Sequence, residues 1–171
     1  QNGTFTITGA GKLGDLTEDQ LHFVYQTING NFTIIARVAS MEEKTEFASA
    51  GLMVRNSLDP NSQMFNFYVR PEELGYMGSR KTVGDQFSSG YEEKRGIPIY
   101  LKLVGNGDDF SGYYSIDGIN WSPSVFNDHD TFEPNPVEMN DPVYVGMFVY
   151  SYTDNTLETA TFDHVAIDTT P

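Results

Sequence analysis

The sequence contains no cysteine among its 171 residues. This absence excludes disulfide cross-links, zinc–thiolate sites and cysteine nucleophiles. It leaves the compartment open, because a secreted bacterial protein can do without disulfides. The chain is long enough to bury a hydrophobic core and its composition shows no internal shift, so we predict one domain spanning residues 1–171.

Long apolar runs and basic residues are also scarce. No run of about 18 apolar residues occurs, so the sequence predicts no membrane-spanning helix. Lysine and arginine total 10 against 24 acidic residues, which gives a net charge of −14. Charge of this sign repels nucleic-acid phosphates and anionic membrane surfaces. We therefore expect neither nucleic acid nor a membrane among the partners.

The two ends of the sequence resemble the ends of an excised module. The chain opens with QNGTF, which has neither the basic nor the apolar region of a signal peptide. It closes with DTTP, which resembles the start of a Thr/Pro linker. We expect that the domain belongs to a larger multidomain protein.

The sequence does contain many short segments in which apolar and polar residues alternate. They span residues 5–9, 21–28, 32–39, 48–57, 64–70, 74–80, 99–105, 110–116, 143–152 and 159–167. Turn signals such as Asn29-Gly30 and Asp117-Gly118 separate them. About ten strands joined by such turns predict an all-β fold, in which two antiparallel sheets pack face to face as a jelly-roll sandwich.

Four segments, in this order, carry a family resemblance: LHFVYQTINGNFTIIARV, AGLMVRNSLDPNSQMFNFYV, FSGYYSIDGINW and VYVGMFVYSYTDNTLETATFDHV. Together they resemble the concanavalin A-like, laminin-G-like jelly-roll modules of bacterial secreted carbohydrate-active enzymes. The resemblance covers nearly the whole chain. It implies a non-catalytic, lectin-like carbohydrate-binding module that is secreted or displayed at the cell surface. Its ligand would be a polysaccharide or oligosaccharide, and its neighbour in the same chain would be a catalytic domain.

Alternation also assigns each strand residue to a face of its sheet. In residues 64–70, Phe65 and Phe67 face the core, so Tyr68 and Arg70 face outward. The same argument applied to other segments yields the predicted carbohydrate-binding residues Arg55, Tyr68, Arg70, Tyr76, Arg80 and Tyr150. Tyrosine rings stack on the apolar face of a pyranose, and arginine donates a planar fork to hydroxyls or a carboxylate. We expect truncation of these side chains to leave the sandwich folded.

The same residues have a second interpretation. Outward arginines on a sheet often pair with carboxylates such as Glu72, Glu73 or Glu92, and strand tyrosines often serve packing. The only tryptophan, Trp121, follows a hairpin turn, and we expect it to pack. A structural or adhesive jelly-roll domain without a glycan ligand is therefore the alternative function.

The resemblance also implies a metal site. Jelly-roll binding modules often carry a structural calcium that ties an early loop to the last strand, and the matching carboxylates here are Asp15 and Asp163. Calcium prefers such hard oxygen ligands. The alternative is that these acids are solvated loop residues. The three histidines are scattered, without the paired spacing of a zinc site.

Catalytic motifs are not found in the sequence. Retaining glucanases of this fold carry an E-x-D-x-E strand that aligns two carboxylates, and this chain has no such string. Its acidic pairs, at 42–43, 72–73 and 92–93, are adjacent residues whose side chains diverge on a strand. We therefore expect that the isolated domain is not an enzyme.

Overall fold

The computed structural model describes residues 3–13, 17–71, 73–91, 96–124 and 136–170. Within these residues the regular secondary structure consists of strands alone. The strands are β1 (Phe5–Gly11), β2 (His22–Ile28), β3 (Asn31–Met41), β4 (Ser49–Arg55), β5 (Met64–Arg70), β6 (Glu73–Arg80), β7 (Ser88–Tyr91), β8 (Ile99–Asn106), β9 (Asp109–Ser115), β10 (Ser122–Pro123), β11 (Val143–Tyr150) and β12 (Thr153–Thr170). In this part of the chain no helix is long and apolar enough to cross a membrane.

The strands form two antiparallel sheets of six strands each. Sheet A has the order β1-β12-β3-β8-β9-β10, and sheet B has the order β2-β11-β4-β5-β6-β7. Neighbours in a sheet can be distant in the chain, since β11 pairs with β2 on one side and with β4 on the other. The predicted all-β, two-sheet antiparallel sandwich is confirmed.

The main hydrophobic core lies between the two sheets and is built from alternate strand residues. In β3 and β8, buried residues alternate with half-buried ones along most of each strand. Buried members of this core include Ile34, Ala36, Val38, Leu52, Val54, Phe65, Phe67, Leu101, Leu103, Val145 and Phe162. The faces that alternation assigned to Phe65 and Phe67 are therefore correct.

A second apolar cluster lies on the other face of sheet B, which we call the outer face. Its buried members are Leu13, Met53, Met64, Tyr68, Phe87, Phe148 and Tyr150. Leu13 belongs to the segment between β1 and β2, and Phe87 belongs to the loop before β7. Loops of the same chain therefore cover part of this face, whereas alternation by itself predicts a solvated surface.

Two glycines allow strands of sheet B to approach closely. A Cβ atom on Gly146 would lie 1.9 Å from the carbonyl oxygen of Val24 on β2. A Cβ atom on Gly51 would lie 2.3 Å from the carbonyl oxygen of Phe67 on β5. Both contacts involve the backbone of the neighbouring strand, which cannot move aside without disturbing the pairing.

We predict that Gly146→Ala destabilises the domain by about 1–3 kcal/mol, because the added methyl group must push β2 away from β11. Urea unfolding midpoints measure the effect. Gly96→Ala is the matched control, since a Cβ atom there has no neighbour within 4 Å. The control should change stability by less than about 0.5 kcal/mol. Equal midpoints for the two variants would contradict this account of Gly146.

Candidate ligand-binding cleft

The outer face of sheet B carries a buried ion cluster in which one carboxylate serves two arginines. Asp19 Oδ2 lies 2.6 Å from Nη1 of Arg55, and Asp19 Oδ1 lies 2.6 Å from Nη2 of Arg80. None of the three side chains exposes more than 4% of its surface. Because a buried charge is costly unless it is paired, each group depends on the others.

Both arginines also donate hydrogen bonds to backbone carbonyl groups. Arg55 Nη2 donates to the carbonyl oxygen of Asp59 at 2.7 Å. Arg80 Nε donates to the carbonyl oxygen of Asp85 at 2.9 Å. The cluster therefore fastens three loops, those carrying Asp19, Asp59 and Asp85, to strands β4 and β6.

This arrangement corrects the expectation for Arg55 and Arg80. Both side chains lie on the outer face, as alternation predicted, but both are buried beneath the loop that carries Asp19. Asp19 is 36 residues from Arg55 and 61 residues from Arg80 in the sequence, so no local pattern reveals the contact. Both arginines pair with the buried carboxylate of Asp19, a partner that the sequence analysis did not suggest. Glu72 and Glu92 lie outside the described residues.

A cleft of about 360 Å³ lies beside the ion cluster. Its lining residues are Asp19, Gln20, Leu21, Phe23, Tyr25, Arg55, Leu58 and Pro60. Strand β2 supplies one wall, the loop between β4 and β5 supplies another, and the ion cluster supplies charge. The volume lies in the range of about 300–1,000 Å³ that is typical of ligand pockets.

Aromatic rings define the β2 wall of the cleft. Tyr25 stacks on Phe23 with a centroid separation of 5.3 Å, and it meets Tyr144 edge-on, also at 5.3 Å. Tyr25 still exposes 42% of its surface, because β2 is the edge strand of sheet B. A ring that is held in place but exposed can stack on the apolar face of a ligand ring. The cleft therefore suits a small cyclic ligand with one apolar face and polar edges.

A second group of side chains, the Arg70 cluster, consists of Phe47, Tyr68, Arg70, Tyr76 and Tyr150. The guanidinium carbon of Arg70 lies 4.3 Å from the ring centroid of Tyr76 and 5.1 Å from that of Phe47. Tyr68 stacks on Tyr76 with centroids 5.1 Å apart. The structure therefore brings together four of the predicted residues, Tyr68, Arg70, Tyr76 and Tyr150, because their strands are close neighbours in sheet B.

The exposure of this cluster differs from the expectation for two of its tyrosines. Tyr68 and Tyr150 are each 1% exposed and belong to the second apolar cluster. Burial raises the pKa of the Tyr68 hydroxyl well above its ordinary value, and it raises the pKa of the Tyr150 hydroxyl in the same direction. Arg70 and Tyr76 are half-buried, and Tyr76 is the cross-strand neighbour of Tyr68. Of the six predicted binding residues, only these two reach the surface to any extent.

Apart from Arg55, the residues that line the cleft were missed by sequence reasoning. A signal for Phe23 and Tyr25 was present, since alternation in residues 21–28 puts both aromatic rings on one face. Asp19 and Leu58 carried no such signal, because both lie in loops and reach the cleft only through tertiary contacts.

Asp163, the predicted calcium ligand, is engaged by an arginine on the outer face of sheet A. Arg37 Nε donates to Asp163 Oδ1 at 2.7 Å, and Arg37 Nη2 donates to Oδ2 at 2.5 Å. These hydrogen bonds lower the pKa of Asp163 to about 2. Asp15 lies outside the described residues, and within the described ranges no three potential metal ligands come together. The structural calcium stays a prediction.

Comparison with known proteins supports the fold. The sequence matches no protein-family model, and the search of curated proteins gives no significant match. Solved structures do match. A functionally unknown protein from Saccharomyces cerevisiae aligns over 100% of this chain and 90% of its own length, with a TM-score of 0.72 and 16% sequence identity.

Two bacterial proteins contain the same sandwich. A GH43 protein from Bacillus licheniformis aligns over 98% of this chain, with a TM-score of 0.66 and 16% identity. A xylan beta-1,4-xylosidase from Bacillus halodurans aligns over 99%, with a TM-score of 0.65 and 14% identity. This chain spans 33% of the length of each protein. Identities this low show the fold alone, which is a two-sheet antiparallel β-sandwich.

We predict that Asp19→Asn destabilises the domain by about 3–5 kcal/mol, because it leaves two buried guanidinium groups without a compensating charge. Denaturant unfolding measures the loss. Glu18→Gln is the matched control, since it removes a carboxylate from the adjacent, exposed residue and should be nearly neutral. A loss no larger than that of the control would show that the cluster does not stabilise the fold.

The low pKa of Asp163 predicts a pH dependence. The pKa of an aspartate in an unfolded chain is about 4, so the folded state binds the proton less tightly. The stabilisation by the Arg37 pair is therefore complete above about pH 4 and is lost as the pH falls towards 2. The stability difference between the wild type and Asp163→Asn should shrink over this window, as urea unfolding at several pH values would show. A difference that stays constant would contradict the assignment.

Proposed function

We propose that this chain is a non-catalytic carbohydrate-binding domain and that the cleft beside β2 is its sugar site. The observation that carries the proposal is the ring of Tyr25. Phe23 and Tyr144 hold this ring, yet much of it stays exposed at the cleft. A pyranose offers the matching surface, because its C–H face is apolar and its edge carries hydroxyl groups.

The polar groups of the cleft suit hydroxyl groups. The carboxylate of Asp19 accepts three hydrogen bonds, one from Arg55 and two from Arg80. This carboxylate is only 2% exposed, so its part is to hold Arg55 at the cleft. The exposed amide of Gln20 adds both a donor and an acceptor. Hydrogen bonds of this kind fix the orientation of a sugar that the aromatic wall binds less selectively.

The structural neighbours support the same class of function. The protein from Bacillus halodurans is named as a xylan beta-1,4-xylosidase, and the sandwich makes up about a third of its chain. We infer that the present domain likewise adjoins a catalytic domain and acts outside the cell, where polysaccharides are found. Its role there is to tether the enzyme to its substrate, which raises the local enzyme concentration.

Affinity electrophoresis followed by calorimetry tests the proposal, with soluble xylan as the first polysaccharide and β-glucan as the second. We expect Tyr25→Ala to weaken binding by about thirty-fold or more, the usual effect of losing a central aromatic contact. Val24→Ala is the matched control. It changes the adjacent residue, which is similarly exposed but points to the other face of β2, and it should leave binding unchanged.

Tyr76→Ala distinguishes the cleft from the Arg70 cluster. Loss of binding in Tyr76→Ala with wild-type affinity in Tyr25→Ala would move the sugar site to the Arg70 cluster. A wild-type domain that binds none of the polysaccharides would contradict the proposed function and favour the structural or adhesive alternative. Thermal melting of each variant checks that the fold is retained.

A further inference from the structure

The outer face of sheet A holds a lysine between two aromatic rings. The ammonium nitrogen of Lys102 lies 4.5 Å from the ring centroid of Tyr113 and 4.4 Å from that of Trp121. Strand register explains the first contact, because Lys102 on β8 is directly opposite Tyr113 on β9. Trp121 reaches the same place because it precedes β10, where Pro123 is opposite Tyr113. The tryptophan is half-buried and packs on this cation.

Lys102 has no carboxylate partner among the residues that the structure describes. On the same sheet, Arg37 is neutralised by Asp163. Partial burial also lowers the pKa of Lys102, because desolvation disfavours the charged form. An anion placed next to this group would replace the lost hydration.

The turn before Trp121 is fixed by hydrogen bonds and carries two exposed isoleucines. Residues 116–120 connect β9 to Trp121, and the carboxylate of Asp117 accepts hydrogen bonds from the backbone N–H groups of Ile119 at 2.9 Å and Asn120 at 2.8 Å. These bonds direct the negative charge of Asp117 into the turn. Ile116 and Ile119 are 76% and 79% exposed. The turn therefore presents apolar side chains on the same sheet, and it lies against Tyr100, since a Cβ atom on Gly118 would be 3.1 Å from that ring.

We propose that Lys102, Tyr113 and Trp121 form a second binding site, selective for a sugar that carries a carboxylate group. The ammonium group pairs with the carboxylate, and the aromatic side chains contact the C–H groups of the same sugar. A neutral sugar cannot neutralise the ammonium group, which gives the selectivity. The site is on the sheet opposite the cleft, so it does not depend on sugar binding there.

Titration calorimetry of the full chain with tetragalacturonic acid tests the proposal. Lys102→Met should weaken binding by roughly tenfold or more, because a charge-assisted hydrogen bond is lost while the apolar length of the side chain is kept. Lys44→Met is the control, since it removes an exposed lysine elsewhere and should leave affinity unchanged. The fully methyl-esterified probe should bind weakly to the wild type and to Lys102→Met alike.

Further measurements separate this site from the cleft and from nonspecific binding of anions. The pKa of Lys102, followed by NMR, should rise when the acidic probe binds, since the bound carboxylate favours the charged amine. Tyr25→Ala should bind the acidic probe like the wild type, which separates this site from the cleft. Absence of binding, equal binding by Lys102→Met, or capture of a polyglutamate peptide in place of the acidic sugar would each overturn the proposal.

Discussion

The carboxylate of Asp19 compensates two guanidinium groups that come from strands β4 and β6, which are separated by β5. Buried charges of this kind destabilise the fold unless each one is paired with a charge of opposite sign. Pairing with Asp19 fastens its loop over this part of the outer face of sheet B. The cleft lies beside that loop, and Asp19 and Arg55 belong to both the ion cluster and the cleft lining. The pairing of Asp19 with the two arginines therefore connects sheet B, the loop that carries Asp19 and the cleft.

The strands and their faces could be predicted because alternation records which residues meet the core. It placed Phe65 inward and Arg70 outward, and register then set Tyr68 opposite Tyr76. Alternation carries no information about what lies above an outward residue. Arg80 is covered by Asp19, a loop residue 61 positions away in the sequence. The cleft could not be predicted for the same reason. Leu58 and Pro60 form one of its walls through the tertiary contacts that attach their loop to sheet B.

Cations in this acidic chain are often placed against aromatic rings. Arg70 lies over Tyr76, and Lys102 lies between Tyr113 and Trp121. The face of an aromatic ring attracts a cation through its quadrupole without neutralising its charge. A cation held in this way keeps a fixed position and can still interact with an anion. This physical distinction separates Lys102 from Arg55, whose charge is already balanced by Asp19.

The attachment of the loop between β4 and β5 also has an entropic consequence. Its carbonyl groups at Asp59 and Pro60 accept hydrogen bonds from Arg55, so this wall of the cleft is ordered when the chain folds. Flexible binding loops lose conformational freedom each time a ligand arrives, and this loss subtracts from affinity. Here that loss is incurred once, during folding. The rim of the cleft thereby acts as a rigid template rather than as a closing lid.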